Sequence, residues 1–204
     1  MQISCATLTI SQPKVLIVEG KDDANFFEAL IKHLNLQSIQ VIPINGKQTL
    51  KSKIAAIKAI PGFTSKVTSI GLALDADDDC NNAFRSVTNC LRSLGFSIPK
   101  EPLQTAGDNP KVSIMLLPSY NTNGMLEDLC LKSIQNDAAM PCLEAFFQCA
   151  NVKDITQNMA KAKVHAFLAT RAMPDKRLGE AALANYWPFN DPAFNEVKDF
   201  VSML

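Results

Sequence analysis

Two groups of carboxylates stand directly behind apolar runs, where acids can hold a cation and move a proton. Glu19 follows the run VLIV at residues 15–18, and Asp75 and Asp77 follow a second run that ends at residue 74. The set contains no imidazole or thiolate. Oxygen donors of this kind suit a hard divalent cation, Mg2+ or Mn2+, because gathered negative charges repel one another until a metal neutralises them. A cation so held polarises a phosphoryl oxygen and orients an attacking water, and with a second ion clamps both the attacking and the leaving oxygen. Such chemistry points at phosphodiesters.

The elements that must position these acids follow from the apolar period and its breakers. Residues 15–18 form a continuous apolar run suited to a strand covered on both faces. A polar loop follows, then a helix that places Phe26, Phe27, Leu30, Ile31 and Leu34 on one face, with Asp22 or Asp23 as its cap. A second unit runs over residues 39–44, turns at Asn45-Gly46-Lys47 and enters a helix with Leu50, Ile54, Ile57 and Ile60 inward, stopped by Pro61-Gly62. The third opens at residues 67–74, breaks at residues 75–79, and continues into a helix marked by Phe84, Val87, Leu91 and Leu94. Residues 111–117 read as a fourth strand; residues 124–135, 138–150 and 152–172 read as helical, with a turn at 186–192 before a short last helix.

This alternation predicts an α/β fold: a mostly parallel sheet of about four or five strands with helices on both faces and a helical C-terminal appendage. We expect one domain over residues 1–204, its core at about 12–120 and the helical extension at about 121–204. In a parallel sheet the βα loops gather at the carboxyl ends of the strands, so Glu19, Asp75 and Asp77 are expected in one crevice. In an extended segment residues 75 and 77 point the same way.

An acid after a strand is also an ordinary helix cap, and Asp78 and Asp79, next to a helix starting near residue 81, suit that role. A Glu-Gly behind one strand joined with an Asp-x-Asp behind another is a more specific pattern. VLIVEGKDDANFF resembles the first motif of topoisomerase-primase (Toprim) domains, and SIGLALDADDDC resembles the second. The two motifs and the unit between them span about residues 14–95. The resemblance implies a metal-dependent site for nucleotidyl transfer or hydrolysis, as in topoisomerases, bacterial primases, overcoming-lysogenization-defect (OLD) nucleases and ribosomal RNA maturases. It makes Glu19 a general acid/base or metal-positioning residue, Asp75 and Asp77 metal carboxylates, and Asp79 a supplementary ligand. Gly20 turns the backbone beside the site, Asp23 falls near a further acidic position of the family, and Gly46 matches a glycine several members carry.

The chain departs from the larger members. Its tyrosines, Tyr120 and Tyr186, lie in no strand-passage module, and zinc-binding and polymerase regions of a primase are missing. Asn45-Gly46-Lys47 lacks the leading glycine and Ser/Thr of a P-loop. What remains resembles a small stand-alone member near the nuclease and maturase branch: a Mg2+- or Mn2+-dependent nuclease, or a related phosphotransfer enzyme, acting on DNA or RNA. The alternative is a Toprim-fold module that binds nucleic acid or nucleotide without turnover or needs a protein partner such as an ATPase. A receiver-like phosphoacceptor fits less well, because there the acidic pair follows the first strand.

Further candidates surround this set. Glu127 and Asp128 follow the fourth strand and serve either a second metal or the first turn of a helix. Lys21 and Lys47 stand on the βα loops as phosphate partners; Lys161, Lys163, Arg171, Lys176 and Arg177 come later. His33 and His165 fall within helices far from the acids in sequence. Trp187, with Tyr186 and Phe189, is a packing cluster or a stacking platform. The 20 basic residues balance the 20 acidic ones, so nucleic-acid binding requires a local patch or a bridging metal. The six cysteines have neither zinc nor dense disulfide spacing and read as small buried apolar residues. The start lacks the marks of a signal peptide and no apolar run spans a bilayer, so a cytoplasmic location and no membrane partner are expected. Oligomeric state is left open.

Overall fold

A computed structural model describes residues 9–151 and 156–204. Its centre is a five-stranded sheet in the order β2-β1-β3-β5-β4. Four strands run parallel: β1 (Lys14–Val18), β2 (Ile39–Pro43), β3 (Ser69–Asp75) and β5 (Lys111–Leu117). β4 (Thr105–Ala106) adds an antiparallel edge to β5. Two residues carry no apolar period, which is why this strand is invisible in the sequence.

The strands read as continuous apolar runs because both faces are covered. Val15, Ile17, Ile70, Leu72 and Leu74 point to one side, into a core shared with α2 (Leu50–Lys58), α3 (Phe63–Lys66) and α4 (Cys80–Ser93). Leu16, Val18, Ala73, Met115 and Leu117 point to the other. There they meet α1 (Lys21–His33), α5 (Leu126–Ser133), α6 (Met140–Cys149), α7 (Met159–Leu168), α8 (Leu178–Leu183) and α9 (Asn195–Ser202).

The helical C-terminal end is therefore a layer of the fold. At Gly71 on β3 a Cβ atom would meet the Leu204 side chain at 2.6 Å and Phe200 at 3.1 Å, so glycine lets these side chains pack directly on the strand. Trp187 is buried, stacks on Phe167 and donates its indole N–H to the Leu178 carbonyl at 3.0 Å. It is a packing residue, and burial rules out the stacking-platform reading. Of the expected helix at 152–172, α7 is the described part, and residues 152–155 lie outside it. α8, six residues long, is too short to declare itself by period.

The cysteine expectation holds for Cys80 and Cys130, which are buried, but Cys142 and Cys149 on α6 are exposed and Cys90 is intermediate. Cys5 lies outside the described residues. Among the described residues no helix is long and apolar enough to cross a membrane.

Candidate functional site

The helix after β1 leaves on one face of the sheet and the helix after β3 on the other. The carboxyl ends of these adjacent strands therefore open a crevice between them, where open α/β sheets place their ligands. Glu19 and Asp75 both face it. A cleft of about 350 Å³ there is lined by Glu19, Asp23, Asp75 and Glu127 from the acidic set, and by Lys21, Lys161 and Arg177.

Asp75 is the last residue of β3, and its Oδ1 accepts the Leu126 N–H at the start of α5 at 3.0 Å. Burial raises its carboxyl to about 8, with the charges of Asp23 and Glu19 pushing the same way. Burial likewise lifts Glu19 above its ordinary range, opposed by Lys47 and reinforced by Asp23 and Asp77. Its Oε2 is buried without a hydrogen-bond partner; the Lys47 ammonium lies 3.8 Å away, beyond hydrogen-bond reach. A buried carboxylate oxygen without a donor costs free energy that a cation or a protonated ligand would recover.

Asp23 has two roles. Its Oδ2 caps α1 by accepting the Gly20 N–H at 3.1 Å, and burial raises its carboxyl as it lines the cleft. Gly20 lies on the same wall, and the Gly46 N–H donates to the Glu19 carbonyl at 3.1 Å, tying the turn after β2 to the site.

The outer acids are arranged differently. Asp77 has a φ of 52°, so the strand has already ended and the alternation expected for residues 75 and 77 is broken. Its carboxylate pairs with Lys47 and is 54% exposed instead of lining the cleft. Lys47 thus stands between Asp77 and Glu19. Asp79 likewise does not face the cleft: its Oδ1 caps α4 by accepting the Asn82 N–H at 2.9 Å. Among the described residues no three histidine, cysteine or acidic side chains stand close enough to hold an ion unaided.

Glu127 and Asp128 separate in the same way. Glu127 faces the cleft, only 16% exposed, with its carboxyl raised by burial and the Lys161 ammonium 3.8 Å away. Asp128 turns back to accept the Met125 N–H at 2.9 Å and caps α5. The later cations divide too: Lys161 and Arg177 reach the cleft, whereas Lys163 pairs with Glu144 and Arg171 with Asp137.

Two positioning features have no signal in the sequence. Asn123 donates to the Asp78 carbonyl and accepts the Cys80 N–H at 3.0 Å, while Asp77 and Gly124 exchange backbone hydrogen bonds of 2.8 Å in both directions. The loop after β5 is thereby laced to the Asp-x-Asp loop. Gly179 on α8 lies so close to α1 that a Cβ would meet the Asp22 carbonyl at 2.3 Å, and its N–H donates to Asp22 Oδ1 at 3.3 Å. That close approach carries Arg177 and Leu178 to the rim.

No curated protein matches the chain. Among solved structures it is similar to the C-terminal region of the Xanthomonas campestris pv. campestris OLD protein. The identity is 13%, over 95% of this chain and 87% of that one, with a TM-score of 0.40. It is also similar to the C-terminal region of the Burkholderia pseudomallei OLD protein, at 12% identity over 94% and 88% of the two chains, with a TM-score of 0.40. The family model described as a protein of unknown function, DUF3226, matches residues 13–204, and the chain belongs to that family.

Proposed function

We propose that this chain is a metal-dependent phosphodiester hydrolase of the Toprim type, acting on DNA or RNA. One observation carries the reading. Glu19 and Asp75, from the ends of two adjacent strands, share a cleft in which burial holds both carboxyls above their ordinary range, and Glu19 Oε2 lacks a donor. Strongly perturbed carboxyls in a cleft, one of them with an unpartnered oxygen, are what a ligand site requires.

The donors suit Mg2+ or Mn2+. They are hard oxygens, and Mg2+ is ordinarily held by one or two carboxylates with waters and substrate phosphate completing the shell, so a closed protein cage is not required. Asp75 and Glu127 would hold the ion, which when bound neutralises the carboxylates and polarises a phosphoryl oxygen. Glu19, through its unpartnered Oε2, accepts the proton of the attacking water. Lys47 favours the ionised form of Glu19 by its charge, against the effect of burial, and Asp77 anchors Lys47. Lys161, across the cleft, and Lys21 offer positive charge to the phosphate.

The test is cleavage of labelled single-stranded, double-stranded and structured DNA and RNA with Mg2+ or Mn2+, comparing the native chain with Glu19→Gln and Asp75→Asn. Metal-dependent cutting lost in both variants is expected. A specific contact favours a second reading, a binding module without turnover or one dependent on a partner such as an ATPase. Lys47 already supplies a cation between Glu19 and Asp77. Stabilisation by metal or nucleotide with no cutting of any substrate would select it.

A further inference from the structure

The acidic cleft does not end at its own rim. A second hollow of about 300 Å³ adjoins it between α1, α7 and α8, and Glu127, Lys161 and Arg177 line both. His165, one turn beyond Lys161 on α7, faces only the second hollow. The floor is apolar, from Val164 and Leu178, both buried.

The charges in this hollow are unevenly engaged. Asp22 accepts the Gly179 N–H at 3.3 Å, and Glu127 lies 3.8 Å from Lys161, so one acid has a backbone donor and the other a cation beside it. Among the described residues Arg177 and His165 have no ion-pair partner. These two side chains are therefore free donors on the wall of a hollow that shares its lining with the cleft. Guanidinium and imidazole groups on a groove wall are donors for phosphate oxygens.

We propose that the hollow between α7 and α8 is a second phosphate subsite. Arg177 and His165 receive the phosphate next to the one under attack on a single nucleic-acid strand, with Lys161 between the two. This rests on the acidic cleft being the phosphodiester site. On this proposal the substrate enters as a single strand, from single-stranded segments or frayed ends. The two donors of the subsite, His165 on α7 and Arg177 at the start of α8, come from outside the segment that carries the two acidic motifs.

The experiment pairs a ligand that spans both hollows with one that fills only the cleft. Binding of fluorescein-labelled single-stranded DNA and RNA is followed by anisotropy with Mg2+ at several salt concentrations. Hydrolysis of bis(p-nitrophenyl) phosphate, a lone diester, is followed alongside. His165→Glu is expected to weaken oligonucleotide binding about tenfold, and His165→Lys to tighten it. Arg177→Ala is expected to weaken it and to reduce the slope of log affinity against log salt by about 0.7, one phosphate contact on a single strand. The lone diester is hydrolysed equally by both His165 variants. A reversal of sign between Glu and Lys at one exposed position is not what a packing role produces.

If oligonucleotide affinity ignores both His165 substitutions while the lone diester is still hydrolysed, the subsite is overturned and the cleft reading stands. If affinity responds but no diester is ever hydrolysed, the groove is supported and the catalytic reading falls. Comparing the two labelled strands shows whether the sugar matters.

Discussion

The inner acids of the constellation, Glu19 and Asp75, and the outer ones, Asp77 and Asp79, stand behind the same pair of strands, yet their environments are opposite. Glu19 and Asp75 are enclosed, destabilised in their charged forms by burial and by neighbouring acids, and Glu19 carries an oxygen with no donor. Asp77 and Asp79 are exposed and already satisfied, one by Lys47 and the other by the first turn of α4. Buried groups held in an unfavourable state lower stability, so a fold keeps them only where something else depends on them. Under the proposed function the contrast assigns chemistry to the inner pair and support to the outer one, although all four stand in the two acidic motifs.

The strongest way to break this comparison is kinetic. Asp75→Asn and Glu19→Gln are each expected to lower metal-dependent hydrolysis about 10³-fold, and Asp77→Asn about tenfold or less, read as kcat on a single-stranded substrate. Equal losses at Asp75 and Asp77 would show that the outer carboxylate swings into the cleft when the site is loaded, and the division between inner and outer acids would fail.

Stability against pH sharpens the same contrast without any substrate. The Asp75 carboxyl rises from an ordinary 3.8 to about 8 in the folded chain, so the native state binds this proton more tightly than the unfolded one. The penalty is absent below about pH 4, accumulates as pH rises, and is complete above pH 8. Each pH unit between the unfolded and folded values corresponds to about 1.4 kcal/mol, and relaxation of the site reduces the total, so Asp75→Asn is expected to be more stable than the native chain by about 2–4 kcal/mol at pH 8.5. Near pH 4 the two should coincide. Urea unfolding in the presence of a chelator measures this; a difference that does not depend on pH would mean that packing, and not the buried charge, separates the two proteins.

How much of this was readable beforehand divides along physical lines. The strands, the helices with long apolar stripes and the meeting of Glu19 with Asp75 follow from period and from the geometry of parallel sheets. The orientation of Asp77 does not, because it depends on one left-handed residue fixed by backbone hydrogen bonds to Gly124 across the fold. The role of Glu127 against Asp128 was open for a similar reason: adjacent helical residues point about 100° apart, and only the position of α5 against the sheet decides which one enters the cleft. Asn123, Gly179 and the reach of Arg177 to the rim rest on long-range contacts with no local signature. His165 lies far from Glu19 in sequence yet close to the cleft in space, which spacing alone cannot reveal.

A smaller effect is expected at the cap. Asp79→Ala removes the acceptor for the Asn82 N–H at an exposed helix start, a loss of about 1 kcal/mol in denaturant unfolding. Activity should change less than twofold when measured well below the unfolding midpoint. A drop as large as that at Asp75 would return Asp79 to the metal set.

The smallest effect concerns Lys47, whose pairing with Asp77 and Glu19 is half-exposed and worth about 0–1 kcal/mol of stability. Its consequence is a displacement of the pH profile. Lys47 lowers the Glu19 carboxyl and Asp77 raises it. If Glu19 must be ionised to accept a proton, Lys47→Met moves the acidic limb of the rate profile to higher pH, whereas Asp77→Asn, with Lys47 in place, moves it to lower pH. Lys47→Arg should leave the limb near its native position. Displacements of opposite sign at two residues of one ion pair would tie the outer half to Glu19 through charge; displacements in the same direction would mean that both substitutions act by rearranging the loops.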